Sequence, residues 1–148
     1  MIMKLDPVFT VKENKLYKIA DNSPVDPNSL RRVEIPWTTV EMEEESYNEE
    51  FLSLLRDQLK GMEAAGIFAI LVPLVDKPLE TPEQIELFTK AFNHTARRVK
   101  DCVSVAGFEL PKELKDTQSF IDTIAIKHAQ YVYFSKQSDL ASDTIVKY

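Results

Sequence analysis

Three short apolar runs, each following a segment of helical periodicity, constrain this chain more than any other feature. Ile67 to Val75, Cys102 to Phe108 and Gln130 to Phe134 are apolar or small at most positions, which suits strands covered on both faces. Before the first run, Phe51, Leu54, Leu55, Leu59 and Met62 repeat at three and four residues, one stripe of a helix. Ser46 and Glu49 predict a capping box at its start, and Gly66 a stop at its end. Before the second, Thr81-Pro82-Glu83-Gln84 supplies an N-cap, a first-turn proline and a reciprocal amide, and Ile85, Phe88, Phe92, Thr95 and Val99 form the stripe. A third helix is expected from near Asp116, with Phe120, Ile121, Ile124 and His128 on one face.

Upstream, Arg32 to Trp37 reads as a short strand stopped by Pro36. Val8 to Ile19 reads as a hairpin about the turn Glu13-Asn14-Lys15, and Asp21 to Ser29 as a loop. The order is therefore a hairpin followed by β-α-β-α-β-α-β. That order predicts an α/β fold with a mostly parallel sheet, either half-barrel-like or a compact open sheet. One domain is expected over residues 1–148: a hairpin at 8–19, the alternating unit at 32–134 and a polar tail at 135–148, in which Ile145-Val146 could add a last short element.

Composition narrows the function classes. A net charge of −6 argues against binding nucleic acid or an anionic membrane surface, since either needs a cationic face. Arg31-Arg32 and Arg97-Arg98-Lys100, the densest basic points, read as solvated helix or loop faces. The longest apolar run contains a proline and is too short to span a bilayer, so no membrane association is expected. The single cysteine, Cys102, allows no intrachain disulfide and fits a reducing, cytoplasmic setting, with the thiol buried and inert. Three glycines cannot build a phosphate-cradling loop, no Gly-x-Ser-x-Gly elbow is present, and His94 and His128 have no second ligand at metal spacing. No cofactor and no metal are expected.

Ligands of parallel sheets bind at the strands' C-terminal ends. There the Cys102 strand runs into Glu109-Leu110-Pro111-Lys112-Glu113, and Asp76 follows the Ile67 strand. Glu109 is a carboxylate in an apolar run and needs a partner: Lys112, Arg97, a backbone N–H or a ligand. Asp76 is placed either to face a ligand or to cap the turn at Lys77-Pro78. The acidic run Glu41 to Glu45 reads as the solvated approach to a helix N-terminus. Tyr131 and Tyr133 share one strand face, suited to a sheet–helix or a subunit contact.

The segment from Arg32 to Glu113 resembles the N-terminal half of a (β/α)-barrel glycoside hydrolase of family 5, clan A. Val33-Glu34-Ile35-Pro36-Trp37 looks like that family's arginine-isoleucine-proline strand. Leu59 to Leu71 looks like its helix leading into a Gly-Ile-x-x-Ile-Leu strand. Phe108 to Leu114 looks like its Glu-Leu-x-Asn-Glu-Pro strand end. The resemblance places the family's acid/base on Glu113, puts Lys112 where the sugar-binding asparagine stands, and makes Glu109, Asp76 and Trp37 candidate substrate contacts. Trp37 is then a sugar-stacking platform or, as a lone tryptophan beside a proline, a core residue. Glu113 is the general acid or the exposed start of a loop. The hairpin at 8–19 is similar to the one that plugs the bottom of those barrels.

A complete barrel needs about 250 residues. The family's second carboxylate, about 5 Å from the first in a retaining enzyme, comes from the other half. The resemblance thus implies a carbohydrate-linked protein that is not hydrolytically competent alone. The alternative is a non-catalytic regulatory or protein-interaction domain with the element order of STAS domains. Either reading expects a homo-oligomer or a protein partner to cover an unpaired sheet edge.

Overall fold

The computed structural model describes residues 6–137 and 142–148. Five parallel strands form the main sheet: β4 (Arg31–Pro36), β7 (Ala69–Leu74), β8 (Val105–Glu109), β9 (Val132–Ser135) and β10 (Ile145–Lys147), side by side in chain order. Sequential order with every neighbour parallel is the singly wound order of a barrel wall; a doubly wound sheet would reverse direction at its middle. A small antiparallel sheet, β1 (Phe9–Lys12), β2 (Lys15–Lys18) and β3 (Pro24–Val25), precedes it. Helix α1 (Trp37–Val40) and the two-stranded β5 (Glu41–Glu43) and β6 (Ser46–Tyr47) lie between β4 and α2 (Glu49–Ala64), while α3 (Pro82–Arg98) and α4 (Thr117–Ala125) fill the later crossovers.

Strand alternation divides the core in two. Val33 and Ile35 of β4, Ala69 and Leu71 of β7, Val105 and Phe108 of β8 and Tyr131 and Tyr133 pack with the helices. The other face carries Ile70, Val72, Ala106, Val132, Phe134 and Val146, and the hairpin covers it with Phe9 and Leu16. Phe9 meets Phe68, just ahead of β7, edge to face at 5.0 Å, so the hairpin sits toward the N-terminal end of the strands. Each large apolar side chain so buried contributes ~1.5–3 kcal/mol.

Local signals set the helix starts. Thr81 Oγ1 accepts from Gln84 N (3.2 Å) and Gln84 Oε1 from Thr81 N (3.0 Å), the expected reciprocal box. Asp116 caps α4 through Ser119 N at 3.1 Å. Gly66 follows α2 at φ 73°, a left-handed stop. The cap of α2 departs from expectation. Asn48, not Ser46, accepts from Phe51 N at 3.1 Å, because Ser46 is taken into the β5–β6 ladder. The helix is consequently rotated from the expected stripe: Leu52 joins Leu55, Leu59 and Met62 inside, and Leu54 is 62% exposed.

The last short element expected at Ile145-Val146 is present within the polar tail. Residues 138–141 lie outside the described residues, but Ile145–Lys147 is the fifth sheet strand, in register with Tyr133 to Ser135. The loop expected over Asp21 to Ser29 contains β3 and one turn of 3-10 helix.

Asn14, at φ 65° in the hairpin turn, clasps β10 from its outer side. Its backbone N–H donates to Asp143 O (2.9 Å) and its carbonyl accepts from Lys147 N (3.2 Å), while Nδ2 donates to Ser142 O (2.8 Å) and Ile145 O (2.7 Å). Asn14→Gly keeps the left-handed backbone and deletes the side-chain clasp. It is expected to cost ~1–2 kcal/mol in urea unfolding and to speed amide exchange in β10. An unchanged urea midpoint together with unchanged amide exchange throughout β10 would refute the clasp.

Candidate functional site

Glu109 ends β8, the central strand, on the face opposite Phe108. The ladder pairs it with Phe134, and the next residue, Leu110, donates its N–H to Phe134 O at 2.7 Å, so the carboxylate is fixed where the sheet ends. It is 9% exposed and is met from both flanks. Arg32 reaches across from β4, its Nη2 lying 3.0 and 3.1 Å from the two carboxylate oxygens. Tyr148, just past β10, donates its hydroxyl to Oε1 and accepts from Arg32 Nε at 3.3 Å. Burial and then the bond to Glu109 push the Tyr148 hydroxyl's pKa up, which keeps its proton in place. Lys136 Nζ stands 3.7 Å from the centre of the Tyr148 ring, a cation–π contact.

Beside this constellation lies a cleft of about 250 Å³, whose wall includes Arg32, Glu109, Lys112, Glu113 and Lys136 over a floor containing Val72 and Leu110. Lys112 and Glu113 are exposed, and neither side chain has a partner among the described residues. Three of the residues singled out from sequence, Glu109, Lys112 and Glu113, therefore line one cleft at the C-terminal strand ends. The partners expected for Glu109 are corrected: Arg32 and Tyr148 hold it, and neither Lys112 nor Arg97 does. Arg97 stands with Arg98 in the last turn of α3, where cations suit the helix dipole.

Asp76 and Trp37 are elsewhere among the strand ends. Asp76 accepts from Thr38 N (3.0 Å) and Thr38 Oγ1 (2.5 Å), tying the loop after β7 to α1. Trp37 is 1% exposed, which corrects its reading as a sugar platform. Its ring meets Phe88 edge-on at 5.2 Å and carries Lys77 Nζ at 4.3 Å, so no face is free for a saccharide. Its indole N–H donates to Glu41 Oε1 at 2.9 Å. Glu41 is itself 1% exposed, which corrects the reading of the acidic run as wholly solvated. Lys77 Nζ at 3.1 Å and Glu45 N at 3.0 Å complete its partners.

The remaining reactive groups lie outside the cleft. Cys102 is buried ahead of β8, and desolvation, followed by the charge of Asp101, pushes its thiol up to about 11. At pH 8 the native protein is expected to resist iodoacetamide and to react once unfolded in urea; rapid native labelling would contradict this. His94 stacks on Tyr47 at 4.3 Å and meets Glu49 at 3.0 Å. Among the described residues no cluster of His, Cys, Asp and Glu has a metal-holding arrangement, and no helix is long and apolar enough to cross a membrane.

Neither a family model nor a curated protein matches the sequence. Solved structures do match. Endo-glycoceramidase II from Rhodococcus sp. superposes with a TM-score of 0.57 at 15% identity, over 90% of this chain and 48% of that one. Its lactosyl-enzyme intermediate gives 0.57 at 13% identity, over 89% and 49%. A GH5_18 protein of Bifidobacterium longum subsp. infantis gives 0.54 at 10% identity, over 70% and 33%. The chain shares the fold of part of each of these proteins, a GH5_18 protein among them. The chain spans less than half the length of each of these proteins. At such identities the likeness concerns the path of the backbone. The singly wound order of β4, β7, β8, β9 and β10 is what it shares with a barrel wall.

Proposed function

We propose that this chain is a carbohydrate-linked protein built on part of a family 5 glycoside hydrolase fold, and that alone it binds a saccharide without cleaving it. The observation that carries the reading is the cleft at the strand ends, the position at which such folds take ligands, with Glu109, Lys112 and Glu113 on its wall. Structures of the Rhodococcus protein with a cellobiose-like imidazole and as a lactosyl-enzyme intermediate show that protein engaging sugar-like groups.

The chemistry supports binding over hydrolysis. Both glycosidase mechanisms need two carboxyl groups in distinct roles, one giving a proton and one attacking or activating water. Glu113 is an unengaged carboxyl on the wall, whereas Arg32 and Tyr148 already hold Glu109. With both oxygens of Glu109 already bonded, the wall has one unengaged carboxyl where two are needed. Glu113 is in this reading a ligand contact that keeps the position of the family's acid/base, and Lys112 a charged donor at its rim.

The test is an NMR-detected titration with cellobiose and lactose beside an aryl-glycoside turnover assay. Binding that shifts Lys112 and Glu113 amides, with no turnover, is expected. Turnover abolished by Glu113→Gln would overturn the non-hydrolytic part. If neither these sugars nor their acidic analogues perturb the cleft, the carbohydrate reading fails.

A further inference from the structure

We propose that the cleft selects an acidic saccharide, such as a uronate or a sulfated sugar, over a neutral one. This rests on the carbohydrate reading above and adds a charge requirement to it.

The argument starts from the ionised groups on the wall. Arg32, Lys112 and Lys136 are cationic, and Glu109 and Glu113 anionic. The two-oxygen contact of Arg32 with Glu109, at 3.0 and 3.1 Å, cancels one charge of each sign. The charged lining residues not so paired are two lysines and one glutamate, a local excess of positive charge on a chain of net charge −6. Lys136 is not a freely waving side chain, because its ammonium is seated at 3.7 Å over the Tyr148 ring.

Hydrogen-bonding capacity points the same way. A neutral sugar offers hydroxyls, each donor and acceptor, and is matched by groups that do both, such as an amide. An ammonium donates only. The cleft sets two lysines where it has one unengaged carboxylate and the side chain of Gln137. Among these unpaired side chains donor hydrogens outnumber acceptor sites, and most of the donors are cationic, which suits a carboxylate or sulfate ester. The partly exposed Leu74 and Val75 of the lining suit the C–H face of a pyranose ring.

Exposed ammonium–carboxylate contacts are individually weak, so the pair is expected to yield about a tenfold preference for the acid. The experiment is an NMR titration with the methyl glycosides of glucuronate and galacturonate, beside those of glucose and galactose, at low and at high salt, with inorganic phosphate as a further probe. The uronates are expected to bind about tenfold more tightly at low salt, to lose that advantage at high salt and to lose it in Lys112→Gln and in Lys112→Gln/Lys136→Gln. Lys112 is exposed, so its variant leaves the fold untouched. Equal binding of acid and neutral sugars overturns the charge requirement and leaves the carbohydrate reading standing. Phosphate binding as tightly as the uronates also overturns the proposal, since the cleft would then read charge alone. Binding of none of the sugars overturns both readings.

Discussion

Gly107→Ala is expected to prevent the native sheet from forming. A Cβ at residue 107 would lie 1.6 Å from Val132 O and 2.7 and 2.9 Å from Val132 C and N. These are backbone atoms of the neighbouring strand, with Gly107 and Val132 directly opposite in the ladder, so no side-chain rotation relieves the clash. Either the β8–β9 pairing opens or both strands shift, and the Glu109–Arg32–Tyr148 constellation is lost with them. The expected cost is at least about 4 kcal/mol, the range reached only by severe structural conflicts, read as a collapsed urea transition or as insoluble protein. The matched control is Gly61→Ala in α2, where nothing stands within 4 Å of the new methyl. There the change should stabilise the protein by ~0.5–1 kcal/mol. Equal behaviour of the two variants would refute the packing argument.

Glu41→Ala should be the second most damaging change. The Glu41 side chain is fully buried, and it binds Trp37 Nε1, Lys77 Nζ and Glu45 N together. Truncation strands a buried indole N–H, removes the partner of Lys77 and leaves a cavity. The expected loss is ~3 kcal/mol. Glu41→Gln keeps one acceptor oxygen and should lose about half of that. Because Trp37 and Thr38 sit in the same short helix, and Thr38 is tied to Asp76, the damage should spread to the loops at the strand ends. Chemical shifts of Thr38 and Asp76 moving together in Glu41→Gln would confirm this. A change below ~0.5 kcal/mol in Glu41→Ala would place the residue with ordinary surface acids.

The two predictions mark where reading the sequence worked and where it could not. The Thr81–Gln84 box and the start of the third helix near Asp116 were legible because each is decided within a few residues. The parallel order of the strands was legible because helix and strand periods alternate along the chain. The cap at Asn48 was misread because Ser46 fits the same local rule, and only the β5–β6 pairing decides between them. Glu41 sits in a run of acids that nothing local distinguishes, yet one of them turns inward to meet a tryptophan and a lysine from separate segments. The cleft was half legible. Strand ends identify Glu109 and Glu113, and the family resemblance adds Lys112, whereas Arg32, Tyr148 and Lys136 come to them from segments remote in sequence. Arg32 had one usable signal: it alternates with Val33 and Ile35, which puts it, with Glu34, on the sheet face away from the helices.

Asn14 has a consequence for assembly. It occupies Ile145 O and Lys147 N, which are outward-pointing ladder groups of β10, so that border of the sheet is already closed. On β4, Arg31 N bonds Phe68 O, and parallel-strand alternation turns the backbone groups of Arg32 and Glu34 toward the opposite border. The two borders of the described sheet therefore differ: Asn14 occupies backbone groups of β10, whereas a further strand would pair along β4.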